Sequence, residues 1–430
     1  MSWPTRLLLA LTLLMIGCAG RHAGPNYKSL DELSKCRPGE CVDAKLEFIH
    51  WADSEHFRGR MPYYCDPGSE LDGPPDRGVT RMIFVLHGVV GDNPESIAKL
   101  VVAPGLNQFR NVVAALRIAE KSDPELRAQA IAIIAPNFQR TDEWQPWTDE
   151  DKRAWTWTRS TWNKGTRSLL REARSGAIKA DSVSSFDVFD EFLRAALIKF
   201  PALEQIVVVG HSTGAQAVHR YALLGVGVHE RLASEGIAIR YVVANPGAYA
   251  FPLVRRKLPP GRSTVPPGEG PGNTLDWRWG VPKGCEGWDE WGYGLEHLDG
   301  NERAVRAVDF AIDTYLREAD RKLARQGSRE VGSREWDKAA RQALILQYAS
   351  REVWHMQASG DVEGTYGGDC PSTLQGRSRF ERFSNFQEAW QTLLGVPAPG
   401  LHFVAIEGLD NQHSSRSVYG SAAGMHVLFE

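Results

Sequence analysis

The chain has 430 residues, enough for one large α/β domain with insertions or for two ordinary domains. Apolar residues make up 42% and charged residues 24%, the composition of a soluble globular protein. A net charge of −3 over this length gives no ground for nucleic acid or a strongly charged surface as the main partner.

The N-terminus reads as an export signal. Arg6 is followed by an apolar run from Leu7 to Ile16, too short to span a bilayer but of signal-peptide length. Ile16-Gly17-Cys18 directly after it resembles the bacterial lipobox, with Met15 where that motif usually has Leu. The resemblance implies cleavage before an acylated Cys18, so that residues 1–18 hold the signal and its lipobox Cys. Acyl chains would hold the protein on a membrane without a spanning helix. Ala19 after the Cys implies the outer membrane of a bacterial cell envelope. Residues 19–78 are rich in Gly, Pro and polar residues and carry Cys36, Cys41 and Cys65, reading as a tether and a disulfide-clipped lead-in. Cys36 and Cys41 are close enough to clip a loop. No CxxC pair and no HxxxH spacing occurs, so no metal site is expected.

From about residue 79 the pattern becomes strand–helix alternation. Thr80–Leu86 is a short apolar run of the kind buried on both faces of a parallel sheet, and it runs into His87-Gly88-Val89. A helix is predicted over about 108–121, and a second strand over Ile131–Ala135 that ends at Pro136. The Trp-rich stretch 138–166 reads as a loop. Phe186, Phe189, Phe192, Leu193, Ala196 and Leu197 recur at helical spacing within 185–200. Ile206–Val209 is a third strand, followed by Gly210-His211-Ser212-Thr213-Gly214 and a helix through Leu224. Tyr241–Ala244 is a fourth strand ending at Asn245-Pro246-Gly247.

The alternation breaks over 251–345, where a Pro/Gly-rich loop and a Trp-rich segment precede two helical stretches; this reads as an insertion capping the active-site end. It resumes at Val353–Met356 and again at His402–Ile406, within a second core segment over 346–430. The expected fold class is α/β, a mainly parallel sheet with helices on both faces, its first part spanning 79–250.

The chemistry centres on Gly-His-Ser-Thr-Gly. Strand, tight turn and helix around a Ser make a nucleophile elbow, in which the glycines let strand and helix approach closely. A Ser hydroxyl needs a base to take its proton, and the base needs an orienting acid. His413 lies in the loop after the strand at 402–406, placed to be that base. Two carboxylates follow the strand at 353–358, Asp361 and Glu363, and an extended chain points both to the same side.

These motifs together resemble the α/β-hydrolase superfamily over about residues 80–430. The resemblance implies the chain order Ser, acid, His. Many members carry Gly-x-x-Asp after this strand, which favours Glu363 as the acid over Asp361. It also implies an oxyanion hole from two backbone N–H groups, those of Thr213 after the nucleophile and of Val89 in the His-Gly turn. A closer resemblance, to a poorly characterised group within the superfamily, rests on Asn245-Pro246, Trp291-Gly292-Tyr293-Gly294-Leu295 and Leu374-Gln375-Gly376-Arg377 with Arg379 and Arg382. Glu at 363 and the long helical insertion depart from the usual pattern.

On this fold Cys285 and Cys370 lie in loops that both approach the active-site end, and they are paired here. No dinucleotide fingerprint or P-loop occurs, so no cofactor is expected. The expected activity is hydrolysis of a small-molecule or lipid-like carboxylic ester through an acyl-serine. A peptidase or amidase on the same triad, or a surface-binding lipoprotein without activity, are the alternatives. The Trp residues of 138–166 and 277–291 either line the cleft or pack the fold.

Overall fold

The computed structural model describes residues 45–50, 60–88, 104–140, 155–158, 161–171, 178–259, 277–327, 334–362, 369–395 and 398–430. Cys18, Cys36, Cys41, Val89 and Glu363 lie outside the described residues.

Eight strands form the central sheet: β1 (Lys45–His50), β2 (Arg60–Cys65), β3 (Val79–Leu86), β4 (Ala130–Pro136), β5 (Gln205–His211), β6 (Ala238–Ala244), β7 (Glu352–Ala358) and β8 (Leu401–Ile406). Their order across the sheet is β1-β2-β4-β3-β5-β6-β7-β8. The six strands from β4 to β8 are mutually parallel, and β2 runs antiparallel to both its neighbours. With helices on both faces, this is the α/β-hydrolase fold.

The apolar runs follow from double-sided burial. Side chains alternate along a strand, so each run feeds two cores at once. Met82, Phe84, Ile206, Val208, Tyr241 and Val243 face one core; Ile83, Val85, Val207, Val209, Val242 and Ala244 face the other. The first core is covered by α2 (Ser185–Lys199), α3 (Thr213–Leu224), α4 (Glu302–Tyr315), α5 (Arg334–Ala349) and α6 (Arg379–Leu394). The second is covered by α1 (Pro104–Ser122) and α7 (Ala422–Phe429). The start of α2 is fixed by a capping box in which Ser184 and Asp187 exchange side chain–backbone hydrogen bonds.

The insertion divides into two parts. Its helices α4 and α5 pack on each other and on α3, burying Ala304, Ala307, Ala311, Ala340 and Ala343 in the first core, on the flank of the sheet. Small side chains there permit close helix approach. The part that reaches toward the elbow is 277–300: Arg220 on α3 donates to the Gly292 carbonyl, and Trp291 Nε1 donates to the Lys164 carbonyl. The Cys285–Cys370 disulfide forms as paired from the sequence, with a Cα–Cα distance of 5.8 Å.

The Trp-rich stretch is not a plain loop. Gln139–Arg140, Trp155–Trp157, Arg167–Arg171 and Ile178–Ser184 form a small four-stranded sheet. Trp155, Trp157 and Trp162 are buried, and Trp162 stacks on Phe138 at 4.7 Å, so these three pack the fold. Among the described residues no helix is long and apolar enough to cross a membrane.

Buried histidines leave a signature in stability. His219 Nε2 accepts from the Ala250 N–H at 3.0 Å; its Nδ1 lies 2.7 Å from the Tyr348 hydroxyl, which lies 3.1 Å from His355 Nε2. Both rings therefore sit neutral between α3, α5 and β7. Burial pushes His355 down to about 3 and His87 down to about 4, and burial, with His355 and Arg220 nearby, drives His219 well below 6.5. Because the folded values are depressed, the unfolded chain takes up the protons first. The contribution is fully present above the unfolded value of about 6.5 and is lost as pH falls from there toward 4 and 3. Each such histidine costs on the order of 1 kcal/mol per pH unit across that window. The urea midpoint is therefore expected to fall markedly between about pH 7.5 and about pH 5, before most carboxylates titrate. An unchanged midpoint over that interval would show that these rings are not held neutral.

Candidate active site

The elbow follows from β5 and α3 being forced together. A Cβ on Gly210 would stand 2.3 Å from the Gly214 carbonyl carbon and oxygen, and one on Gly214 would stand 2.3 Å from the Leu86 carbonyl oxygen. Between them Ser212 adopts φ 57° and ψ −116°, a backbone conformation that non-glycine residues rarely hold. Its N–H donates to the Ala244 carbonyl at 3.0 Å, and its carbonyl accepts from Gln216 N–H at 3.1 Å. Ser212 occupies the N-cap of α3 yet makes no side-chain cap bond. A Ser at this position ordinarily turns its hydroxyl onto the helix N–H groups. Here the hydroxyl instead lies 3.2 Å from His413 Nε2.

His413 is placed by the loop after β8, and that loop is stitched to the neighbouring strand ends. Asn245, with φ 48° just past β6, donates through Nδ2 to the Gln412 carbonyl at 2.7 Å and accepts from the Ala358 N–H at 2.9 Å. Gln412 Oε1 accepts from the Gly360 N–H at 3.0 Å, so the residue before His413 is tied to the residue before Asp361. A Cβ on Gly360 would fall 2.5 Å from the Gln412 amide carbon, which accounts for glycine there.

Of the two carboxylates named from the sequence, Glu363 lies outside the described residues and Asp361 is placed beside His413. It is Asp361 whose Oδ2 lies 2.8 Å from His413 Nδ1. The chain turns tightly after β7, with the Asp361 N–H donating to the Ala358 carbonyl at 3.1 Å, and this carries the Asp361 side chain beneath the His413 loop. Asp361 is 3% exposed, and its other oxygen accepts from Arg379 at 2.9 Å, with Gln357 Nε2 at 3.3 Å from Oδ2. Arg379, the first residue of α6, is also 3% exposed, so Asp361 is held in a buried ion pair. Arg379, Asn245 and Gln412 had no assigned part in the site on sequence grounds. The traces that could have raised them are an Asn-Pro at a strand end and a Gln beside the candidate base.

The other histidines near Ser212 are structural. His211 is buried, and its ring packs on that of His413 with centroids 4.7 Å apart. Burial, followed by the proximity of His413 and Arg379, lowers its pKa well below 6.5, so it is a neutral wall behind the base. His87 accepts from the Phe138 N–H at 2.9 Å through Nε2, so its proton sits on Nδ1, which faces the Gly88 carbonyl at 2.8 Å. This pins the His-Gly turn against the elbow. A Cβ on Gly88 would stand 3.2 Å from Ser212 Cβ and 3.8 Å from its Oγ. Thr213, named for the oxyanion hole, is the first residue of α3, where backbone N–H groups carry the positive end of the helix dipole.

With Nδ1 donating to Asp361, the His413 Nε2 lone pair faces the Ser212 hydroxyl. The arrangement can withdraw the hydroxyl proton as the oxygen attacks an electrophile. Among the described residues no group of three or more His, Cys, Asp or Glu side chains is placed to hold a metal ion.

No family model and no curated protein matches the sequence. Solved structures do. Poly(aspartic acid) hydrolase-1 from Sphingomonas sp. KT-1 is 14% identical, with 90% of this chain and 99% of that chain covered and a TM-score of 0.44. A poly(3-hydroxybutyrate) depolymerase from Bordetella parapertussis is 15% identical, with 90% and 94% covered and a TM-score of 0.44. A siderophore hydrolase from Aspergillus nidulans is 12% identical, with 90% and 94% covered and a TM-score of 0.37.

Proposed function

We propose that the protein is a serine hydrolase of carboxylic esters. The observation that carries this reading is the hydrogen-bonded chain Ser212–His413–Asp361, with Ser212 in a strained elbow that keeps its hydroxyl off the helix. In the proposed reaction Ser212 Oγ attacks the ester carbonyl carbon while its proton passes to His413 Nε2. The oxyanion of the tetrahedral intermediate is held by the N–H groups of Thr213 and Val89. As the intermediate collapses, His413 returns the proton to the departing alcohol, leaving an acyl-serine. Water, deprotonated by the same His413, then releases the acid. Asp361 fixes the His413 tautomer and stabilises the imidazolium, and no cofactor takes part. Matched ester and amide substrates with one acyl group test the reading. Faster turnover of the ester by wild type, absent in Ser212→Ala, is expected; turnover of the amide alone would assign a peptidase or amidase.

We further propose that the protein is exported and anchored to the bacterial envelope through an acylated Cys18. The support is the short apolar run and the Ile16-Gly17-Cys18 sequence. Radiolabelled palmitate is expected to enter the wild-type protein and not Cys18→Ala, and the variant is expected to leave the membrane fraction. Equal membrane retention of the variant would overturn the anchor.

A further inference from the structure

The start of α6 is built onto Asp361 from two directions. Arg379 Nη1 donates to Asp361 Oδ1 at 2.9 Å, and the Phe380 N–H donates to the Asp361 carbonyl at 3.4 Å. Ser378 caps the helix by accepting from the Glu381 N–H at 3.1 Å, so the positive end of the helix dipole lies at Asp361 as well. Both members of the Arg379–Asp361 pair are 3% exposed. Burying such a pair is costly, and neutral bonds already orient Asp361: its N–H donates to the Ala358 carbonyl, and Gln357 Nε2 lies 3.3 Å from Oδ2. Orientation alone does not call for a full positive charge at 379.

That charge bears on His413 through Asp361. Asp361 Oδ2 stands 2.8 Å from His413 Nδ1, and Ser212 Oγ stands 3.2 Å from Nε2. From β5 the His211 ring packs against the base at 4.7 Å, kept neutral by burial and then by the proximity of His413 and Arg379. On the loop that carries His413, Glu407, Asp410 and Arg416 are exposed. On α6, Arg382 donates to the Gly376 and Gly247 carbonyls, and Glu381 accepts from the Arg377 N–H. Among the described residues, Arg379 is thus the cation set against Asp361. An uncompensated carboxylate beside an imidazole favours the charged ring, so the base would stay occupied by a proton in mildly acidic solution. We propose that Arg379 is a positioning residue acting through Asp361: it offsets the carboxylate charge so that His413 remains free to accept the Ser212 proton in mildly acidic solution. The proposal rests on the ester hydrolase reading and deepens it.

Two variants separate the charge from the hydrogen bond. Arg379→Gln keeps an N–H donor for Asp361 Oδ1 and removes the charge, whereas Arg379→Lys keeps both. The ratio kcat/KM for one ester is measured on the full chain from about pH 5 to about pH 9, normalised to the folded fraction by circular dichroism. The acidic limb is expected to move up by about one pH unit in Arg379→Gln and to return to within about 0.3 unit of wild type in Arg379→Lys. In wild type the limb is expected below about pH 7, a measurement that needs no variant to fold. A purely structural Arg379 would lower the whole profile and leave its limb in place. That result, or a wild-type limb above about pH 7, overturns the proposal. If wild type turns over no ester, the hydrolase reading fails separately, and NMR titration of the His413 ring in wild type and Arg379→Gln reads the same displacement.

Discussion

Asp361→Asn is expected to lower kcat by about three to four orders of magnitude, while Glu363→Gln changes it by less than about tenfold. The asymmetry follows from hydrogen-bond direction. Asp361 accepts from His413 Nδ1–H, which leaves Nε2 unprotonated and facing Ser212. An amide at 361 would instead present its NH2 to Nδ1, because Arg379 claims the remaining oxygen. His413 would then carry its proton on Nε2 and could not accept one from Ser212. The substitution also removes the charge of Asp361 from its buried ion pair with Arg379, a loss of about 3–5 kcal/mol for a broken buried pair. Activity is therefore to be normalised to the folded fraction measured by circular dichroism. A collapse of activity in Glu363→Gln with Asp361→Asn near wild type would place the acid elsewhere than the hydrogen bonds do.

Gly214→Ala is expected to cost about 3 kcal/mol of stability and about a hundredfold in kcat. The added methyl would meet the carbonyl oxygens of Leu86 and His87 at 2.3 and 2.7 Å, which are backbone atoms of β3 and its turn. They cannot rotate aside as a flexible side chain would. Relief requires α3 to move away from the sheet, and α3 begins at the nucleophile. Gly300→Ala is the control: a Cβ there meets nothing within 4 Å, and its cost is expected below about 0.5 kcal/mol. Thermal denaturation and steady-state kinetics on both variants check the pair. Equal stability of the two would mean that the elbow is not closed by contact between backbones.

These two expectations draw on different amounts of sequence information. The elbow was readable because Ile206–Val209, the glycines at 210 and 214 and the helix after them are contiguous, so local pattern and tertiary role coincide. His413 could be singled out because it follows a late strand, and its Nε2 lies 3.2 Å from the Ser212 hydroxyl. The choice between Asp361 and Glu363 was not readable, since two residues on an extended chain point alike and the sequence carries no record of the turn at 358–361 that places Asp361. Arg379 was beyond reach for another reason. It meets Asp361 across 18 residues of sequence, and periodicity carries no record of such a pairing. The four-stranded sheet within 139–184 was missed because strands such as Gln139–Arg140 and Trp155–Trp157 are too short to show a period of two. In the insertion, helices were legible from their spacing, whereas their alanine-lined seat against α3 depends on which face of another helix is vacant.

An activated nucleophile at Ser212 is the premise of every step proposed for this site. A fluorophosphonate probe on the purified full chain, followed by peptide mapping, tests this most directly. The structure predicts one adduct, on the peptide bearing Ser212, that is absent from Ser212→Ala and strongly slowed in His413→Ala. A folded protein that takes up no probe, or one labelled at a different serine, would contradict it.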